Sequence, residues 1–213
     1  MTSLEAELKP VLVFQRKSKK KIPDQIAGYD TPNGLKAILS FADGFVTKDS
    51  AFRVFGLHND DILPGLTEHN ASEWKQRYRE LAQENLFIAE DLFGDQYGYR
   101  LKNGKNEFVK FYCEGGRIEP VPGGINHFIE AMISPTKSGI IDWGMVIAAF
   151  ALGKRPNAGQ HLAFQIPLIM GGDYDAQNIE IESRALHLGT LSQLTQELLK
   201  HPNQSKIKGV RSQ

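Results

Sequence analysis

Four short apolar runs, at about 86–91, 96–101, 107–112 and 117–121, follow one another with only brief gaps, and this constrains the fold more than any other feature of the sequence. The gaps hold Gly94-Asp95, Asn103-Gly104 and Gly115-Gly116. Such dipeptides accept the positive φ that tight hairpin turns require, so the spacing predicts an antiparallel meander.

Helical signals flank these runs. Asn70 with Glu73 three positions on fits a capping box, and Trp74, Tyr78 and Leu81 follow at helical spacing, which predicts a helix over 71–84. Ile125, Phe128, Ile129, Met132 and Ile133 place one apolar stripe on a second helix, which Pro135 ends. The expected fold is therefore α+β, an antiparallel meander sheet with helices packed on one face.

Beyond it the sequence predicts a helix over 139–152 closed by Gly153, a strand over 161–170, a short strand at 179–181, and a last helix built on Leu186, Leu188, Leu191, Leu194 and Leu198-Leu199. His201-Pro202 stops that pattern. Toward the start, Val11 to Phe14 reads as a strand, Leu35 to Phe41 as a short helix and Phe52 to Leu57 as another strand. One compact domain is expected. It comprises a partly basic segment 1–34, an α+β core 35–135, a helix-strand-helix extension 136–200 packed on that core, and a basic tail 201–213.

At 213 residues, with 41% apolar and 23% charged residues, the chain can bury an ordinary core. Its lone Cys113 excludes an internal disulfide framework and fits a reducing compartment. No basic stretch leading into an apolar one follows Met1, and a cytoplasmic location is expected. The apolar stretch around Met145 to Leu152 is too short for a bilayer, which needs about 20 residues, so it reads as a helix buried inside the domain. No membrane role is expected.

Formal net charge is zero, yet it is unevenly spread. Residues 1–21 hold six bases and two acids, residues 206–213 three bases and no acid, and the body between them sixteen bases against twenty-three acids. The stretch from Asp60 to Asp95 has nine acids and three bases, a field that would steer a basic partner. Arg16-Lys17-Ser18-Lys19-Lys20-Lys21 reads as a solvated loop on an acidic body rather than a nucleic-acid patch.

Chemistry-bearing motifs are scarce. No phosphate-cradling glycine spacing is present, so no nucleotide cofactor is expected. No His or Cys pair has zinc spacing, and His58-Asn59-Asp60-Asp61 reads as a polar loop after a strand. Asp173-Tyr174-Asp175-Ala176-Gln177-Asn178 opens like a calcium loop but has Asn178 where glycine is needed and Arg184 where the bidentate glutamate belongs, so no metal is expected. Cys113 reads as a buried small hydrophobe, and no catalytic residue is assigned. Glu90, Asp91 and Asp95 form the strongest acidic cluster. Strand neighbours alternate faces, so Glu90 and Asp91 should point oppositely, against a paired acid and base.

Phe87-Ile88-Ala89-Glu90-Asp91-Leu92-Phe93-Gly94-Asp95-Gln96-Tyr97 resembles the Phe-Ala-x-Asp-x-x-Gly-x-x-Tyr/Phe signature of the SUKH superfamily, which includes a yeast regulator of cell-wall assembly and many bacterial immunity proteins. Leu35 to Gly44 is similar to the element that precedes the signature, with Ala42-Asp43-Gly44 in place of Asn-Gly-Gly. His161 to Gly172 and the helix from Arg184 are similar to the Pro-x-x-x-Gly-Gly ending of GAD-like type VI secretion immunity proteins. The resemblance implies an α+β domain without an active site that binds a cognate protein toxin, encoded beside it, and neutralises it. Glu90, Asp91 and Asp95 are then candidates for contact with a basic toxin. Two other classes stay open: a regulatory scaffold of cell-wall or signalling machinery, and an enzyme that uses the acidic cluster. The oligomeric state is not legible.

Overall fold

The computed structural model describes residues 3–18, 21–102 and 105–200. The Asn103-Gly104 turn, Lys19-Lys20, His201-Pro202 and the basic tail lie outside the described residues.

In chain order the elements are α1 (Ser3–Leu8), β1 (Leu12–Lys17), β2 (Gln25–Ile26), β3 (Tyr29–Asp30), α2 (Asn33–Phe41), β4 (Ala42–Thr47) and β5 (Phe52–Val54). Three short helices follow, α3 (Leu66–Asn70), α4 (Glu73–Arg77) and α5 (Glu80–Gln83). Then come β6 (Asn85–Asp91), β7 (Gln96–Lys102), β8 (Lys105–Tyr112), β9 (Arg117–Pro120), α6 (Gly124–Ile133), α7 (Pro135–Ser138) and α8 (Trp143–Ala151). The chain closes with β10 (Gln160–Phe164), β11 (Ile179–Ser183) and α9 (Arg184–Lys200).

Seven strands form one antiparallel sheet in the order β1-β4-β5-β6-β7-β8-β9, and β10 pairs with β11 in a separate ribbon. The fold is α+β, as the meander implies. Gly94, Gly115 and Gly116 all adopt positive φ at the turns.

A bulge between Phe87 and Ala89 in β6 decides what each face of the sheet carries. Strict alternation would set Phe87 and Glu90 on opposite faces. The extra residue resets the pattern, so Phe87 opposite Gly98 and Glu90 opposite Gln96 share one face, while Leu86, Ala89 and Asp91 take the other.

On the second of these faces α6 lays Phe128 against Phe52, Tyr97 and Phe108, with ring centroids 5.3, 4.9 and 5.4 Å away. Leu35, Ile38 and Leu39 of α2 join the same core. The first face is covered too: Trp74 of α4, Tyr78, and Leu188 and Leu191 of α9 close over Phe87, Phe111 and Cys113. Helices therefore lie on both sides of the central strands.

Several expectations need correction. The helix expected over 71–84 is broken into the short helices α4 and α5, because Arg79 between them takes φ 50°. Its capping box does not form: the Asn70 side chain instead donates to the Leu66 and Phe87 carbonyls and accepts from Phe87 N–H. The strand expected over 161–170 ends at Phe164, just ahead of Pro167. The helix at 139–152 starts only at Trp143, where Asp142 accepts a hydrogen bond from Met145 N–H as its cap. It is not wholly buried, since Ile147 is 60% exposed. Arg16 is not in a solvated loop either; it lies within β1 and donates to the carbonyls of His58 and Leu63 and to Asp60.

Candidate functional site

The acidic cluster sits where β5, β6 and β7 run side by side beneath the C-terminal elements. Glu90 and Asp91 do point to opposite faces, and neither has any exposed surface.

Glu90 is the centre of a buried charged network. Arg53 pairs with it across the β5–β6 ladder at 3.7 Å. His161 Nε2 of β10 approaches the same oxygen at 3.2 Å, and Arg184 Nε at the start of α9 donates to it. The other carboxylate oxygen accepts from Gln96 Nε2 at 3.2 Å.

Neutral imidazoles complete the set. Gln96 Oε1 accepts from His69 Nε2 at 2.8 Å, which leaves His69 Nδ1 to accept from Arg184 Nη2 at 3.2 Å. His161 and His187 meet through their Nδ1 atoms at 3.1 Å, so one donates and the other accepts. Gly94 makes room for that pair: a Cβ there would lie 2.9 Å from His161 Nδ1.

The electrostatics follow from two guanidinium groups around one carboxylate. Burial pushes Glu90 up, but Arg184, His161 and Arg53 outweigh it and hold the carboxyl well below its ordinary value. Burial pulls Arg53 down to about 10. His69 falls to about 3 through burial and the charge of Arg184, and His187 to about 3 through burial and His161. His161 is also lowered by burial, with Glu90 acting the other way. With the histidines neutral, the network already carries one excess positive charge, and a further proton would add to it.

Arg53 has a second task. Its Nε donates to Ala158 O at 2.6 Å and its Nη2 to Asn157 O at 3.0 Å, which fastens the loop before β10 to the sheet.

Asp91 occupies the opposite face. Its Oδ1 accepts from Phe93 N–H at 2.9 Å and Asp95 N–H at 3.1 Å, and its Oδ2 from Tyr97 OH at 2.8 Å. Lys110 reaches Asp91 at 3.4 Å and Asp95 at 3.1 Å. Burial, with the Asp95 charge nearby, raises the Asp91 carboxyl, and Lys110 opposes it. Asp95 also accepts from Cys113 N–H at 3.2 Å. The Cys113 thiol is fully buried, and burial drives it well above its ordinary value.

The idea that all three acids offer charge to a partner must therefore be revised. Glu90 and Asp91 face inward because arginine, histidine and lysine side chains from other elements close around them. Of the three, Asp95 keeps some access, its side chain being 17% exposed. Sequence reading missed Arg53, His69, His161, Arg184 and His187, which come from four separate elements, β5, α3, β10 and α9, so no single local motif holds them. Among the described residues no group of His, Cys, Asp and Glu is arranged to hold a metal ion. None of the described helices is long and apolar enough to cross a membrane.

Two surface depressions lie away from this network. One of about 220 Å³ is lined by Ala27, Tyr29, Asn70, Lys75, Gln76 and Gln83. Burial lowers Lys75 there to about 8, and its ammonium donates to Asn70 Oδ1 at 3.1 Å and Asn85 O at 2.5 Å. The other, of about 480 Å³, runs along α8.

Neither a protein-family model nor a curated protein matches the sequence. Among solved structures the chain is similar to the crystal structure of Atu4351 from Agrobacterium tumefaciens, at 12% identity and a TM-score of 0.55, over 89% of this chain and 87% of that one. At this identity the likeness extends to the fold.

Proposed function

We propose that the chain is a binding protein of the immunity type, which neutralises a cognate protein toxin by covering part of its surface and transforms no substrate itself. The observation that carries this reading is the closure of the Glu90 network. Its carboxylate and the side chains of Arg53 and His161 have no exposed surface, and their hydrogen bonds are spent on one another and on backbone carbonyls. Groups so placed hold the C-terminal elements onto the sheet. A general acid or base must instead come within hydrogen-bond reach of a substrate proton.

The resemblance of Phe87 to Tyr97 to the SUKH signature supports the same reading, with the qualification that its acids serve the scaffold. Toxin contact then falls to the exterior. Co-expression with the product of the adjacent gene tests this: a stoichiometric complex and protection of the host cell are expected. Absence of both binding and protection overturns the reading, and a pull-down of several unrelated signalling or cell-wall proteins would favour a regulatory scaffold instead.

A further inference from the structure

The nine residues of α8, Trp143 to Ala151, include no ionisable side chain. Met145, Val146 and Ala149 pack into the core, while Gly144, Ile147, Ala148 and Ala151 face outward. Ile147 is 60% exposed and Leu152, just past the helix, 44%. An amphipathic surface helix would carry polar residues on that outer side; this one is apolar all round.

The segment Tyr174 to Gln177 forms the facing wall. Tyr174 OH donates to Asp142 Oδ2 at 2.8 Å at one end of α8. Lys154 Nζ donates to Ala176 O at 2.9 Å and Gln177 O at 3.2 Å at the other. The two ties hold open a trough of about 480 Å³ with Gly144, Ala148, Ala151 and Leu152 along one side and Tyr174 along the other. Its walls are set before anything binds, which lowers the ordering cost of association.

Charge at the rim is polarised along the trough. Asp142, Asp173 and Asp175 are exposed around the Tyr174 end. At the other end stand Lys154, which donates to two neutral carbonyls, and Arg155, over the Phe150 ring and 3.7 Å from Asp49, so the acids and the cations lie at opposite ends of the trough. An apolar floor with an acidic mouth is complementary to an apolar segment that ends in lysine or arginine.

We infer that this trough is the docking face for the protein partner, and that the partner inserts an apolar helical segment whose basic end meets Asp142, Asp173 and Asp175. The inference rests on the binding role proposed above and assigns it a place on the surface. Neither Glu90 nor Asp91 takes part.

The full-length protein is titrated with a synthetic amphipathic Leu/Lys peptide and with a Leu/Glu peptide of the same pattern, followed by amide chemical shifts and fluorescence. Saturable binding of the Leu/Lys peptide is expected, with shifts confined to α8 and 174–177. Ala148→Glu, which puts a charge on the apolar floor of the trough, should weaken it at least about tenfold. Asp173→Asn with Asp175→Asn should weaken it several-fold at low salt and flatten its salt dependence. Equal binding of the Leu/Glu peptide, shifts elsewhere, or indifference to Ala148→Glu overturns the inference. So does a dimer of the free chain that Ala148→Glu dissolves, since the occupant is then a second copy. Co-expression separates the two levels: if wild type protects against the adjacent toxin and folded Ala148→Glu protects equally, the docking face is wrong and the binding role stands. If wild type gives no protection but the Leu/Lys peptide still docks as described, the role fails and the face remains.

Discussion

His161 Nε2 and Glu90 Oε1 lie 3.2 Å apart with no solvent on either, although 71 positions separate them in the chain. The contact joins the β10–β11 ribbon to the central strand β6. Arg53 and Arg184 meet on the same carboxylate, so four elements depend on one side chain.

Glu90→Gln keeps the shape and removes the charge. Arg53 would then be buried beside Arg184 without a counter-ion, and a loss of about 3–5 kcal/mol in unfolding free energy is expected, typical of breaking a buried pair from one side. Urea denaturation monitored by tryptophan fluorescence measures it. A loss under about 1 kcal/mol, the range of an exposed pair, would show that the network does not hold the C-terminal elements.

The histidines give stability a defined pH dependence. His69 and His187 titrate near 6.5 when unfolded and at about 3 when folded, so between those values the unfolded chain binds more protons. Stability is therefore fully present above the unfolded value and declines as pH falls toward the folded one. Each such histidine contributes a slope of about 1.4 kcal/mol per pH unit within that window. Urea midpoints at neutral pH and at mildly acidic pH should differ accordingly, and His187→Gln should flatten the slope. A midpoint that stays constant through this window would contradict the neutral, buried assignment.

The meander could be read from sequence because its signals are local: apolar runs of strand length cut by glycine dipeptides. Strand β4 could not, since all six of its residues, Ala42 to Thr47, are buried and no alternation marks a face. The trouble at 71–84 has a different origin. Helical periodicity is present, but tertiary contacts take Asn70 away from its capping role and Arg79 leaves the helical region. The candidate site was half legible. Alternation set Glu90 and Asp91 on opposite faces, but their partners come from β5, β8, β10, α3 and α9, and only folding brings those together. An acidic sequence run therefore says little about surface charge until the cations that enclose it are known.

Gly98 faces Phe87 at the β6 bulge, and its backbone is extended, so conformational freedom is not why glycine stands there. A Cβ would collide with the Leu86 carbonyl oxygen and sit 2.7 Å from Phe87 Cα. Both obstacles are backbone and cannot rotate away. Gly98→Ala should cost about 1–3 kcal/mol, the range for overpacking a filled interior. Because the bulge sets which face Glu90 takes, the variant should also disturb the His161 and His187 ring resonances. Unchanged stability and unchanged spectra would mean that the two strands are not this close.

Phe128 anchors the opposite face. It is fully buried, and its ring meets Phe52, Tyr97 and Phe108 from β5, β7 and β8. Phe128→Ala removes the shared partner of three strands, and rings fixed by the sheet cannot close the gap. A loss of about 3–5 kcal/mol is expected, the usual cost of deleting a buried aromatic ring. Phe128→Leu retains part of the volume and should recover about half of that. The comparison separates packing from any specific role of the ring: if leucine is as damaging as alanine, the ring geometry itself is required, and a simple cavity argument for α6 fails.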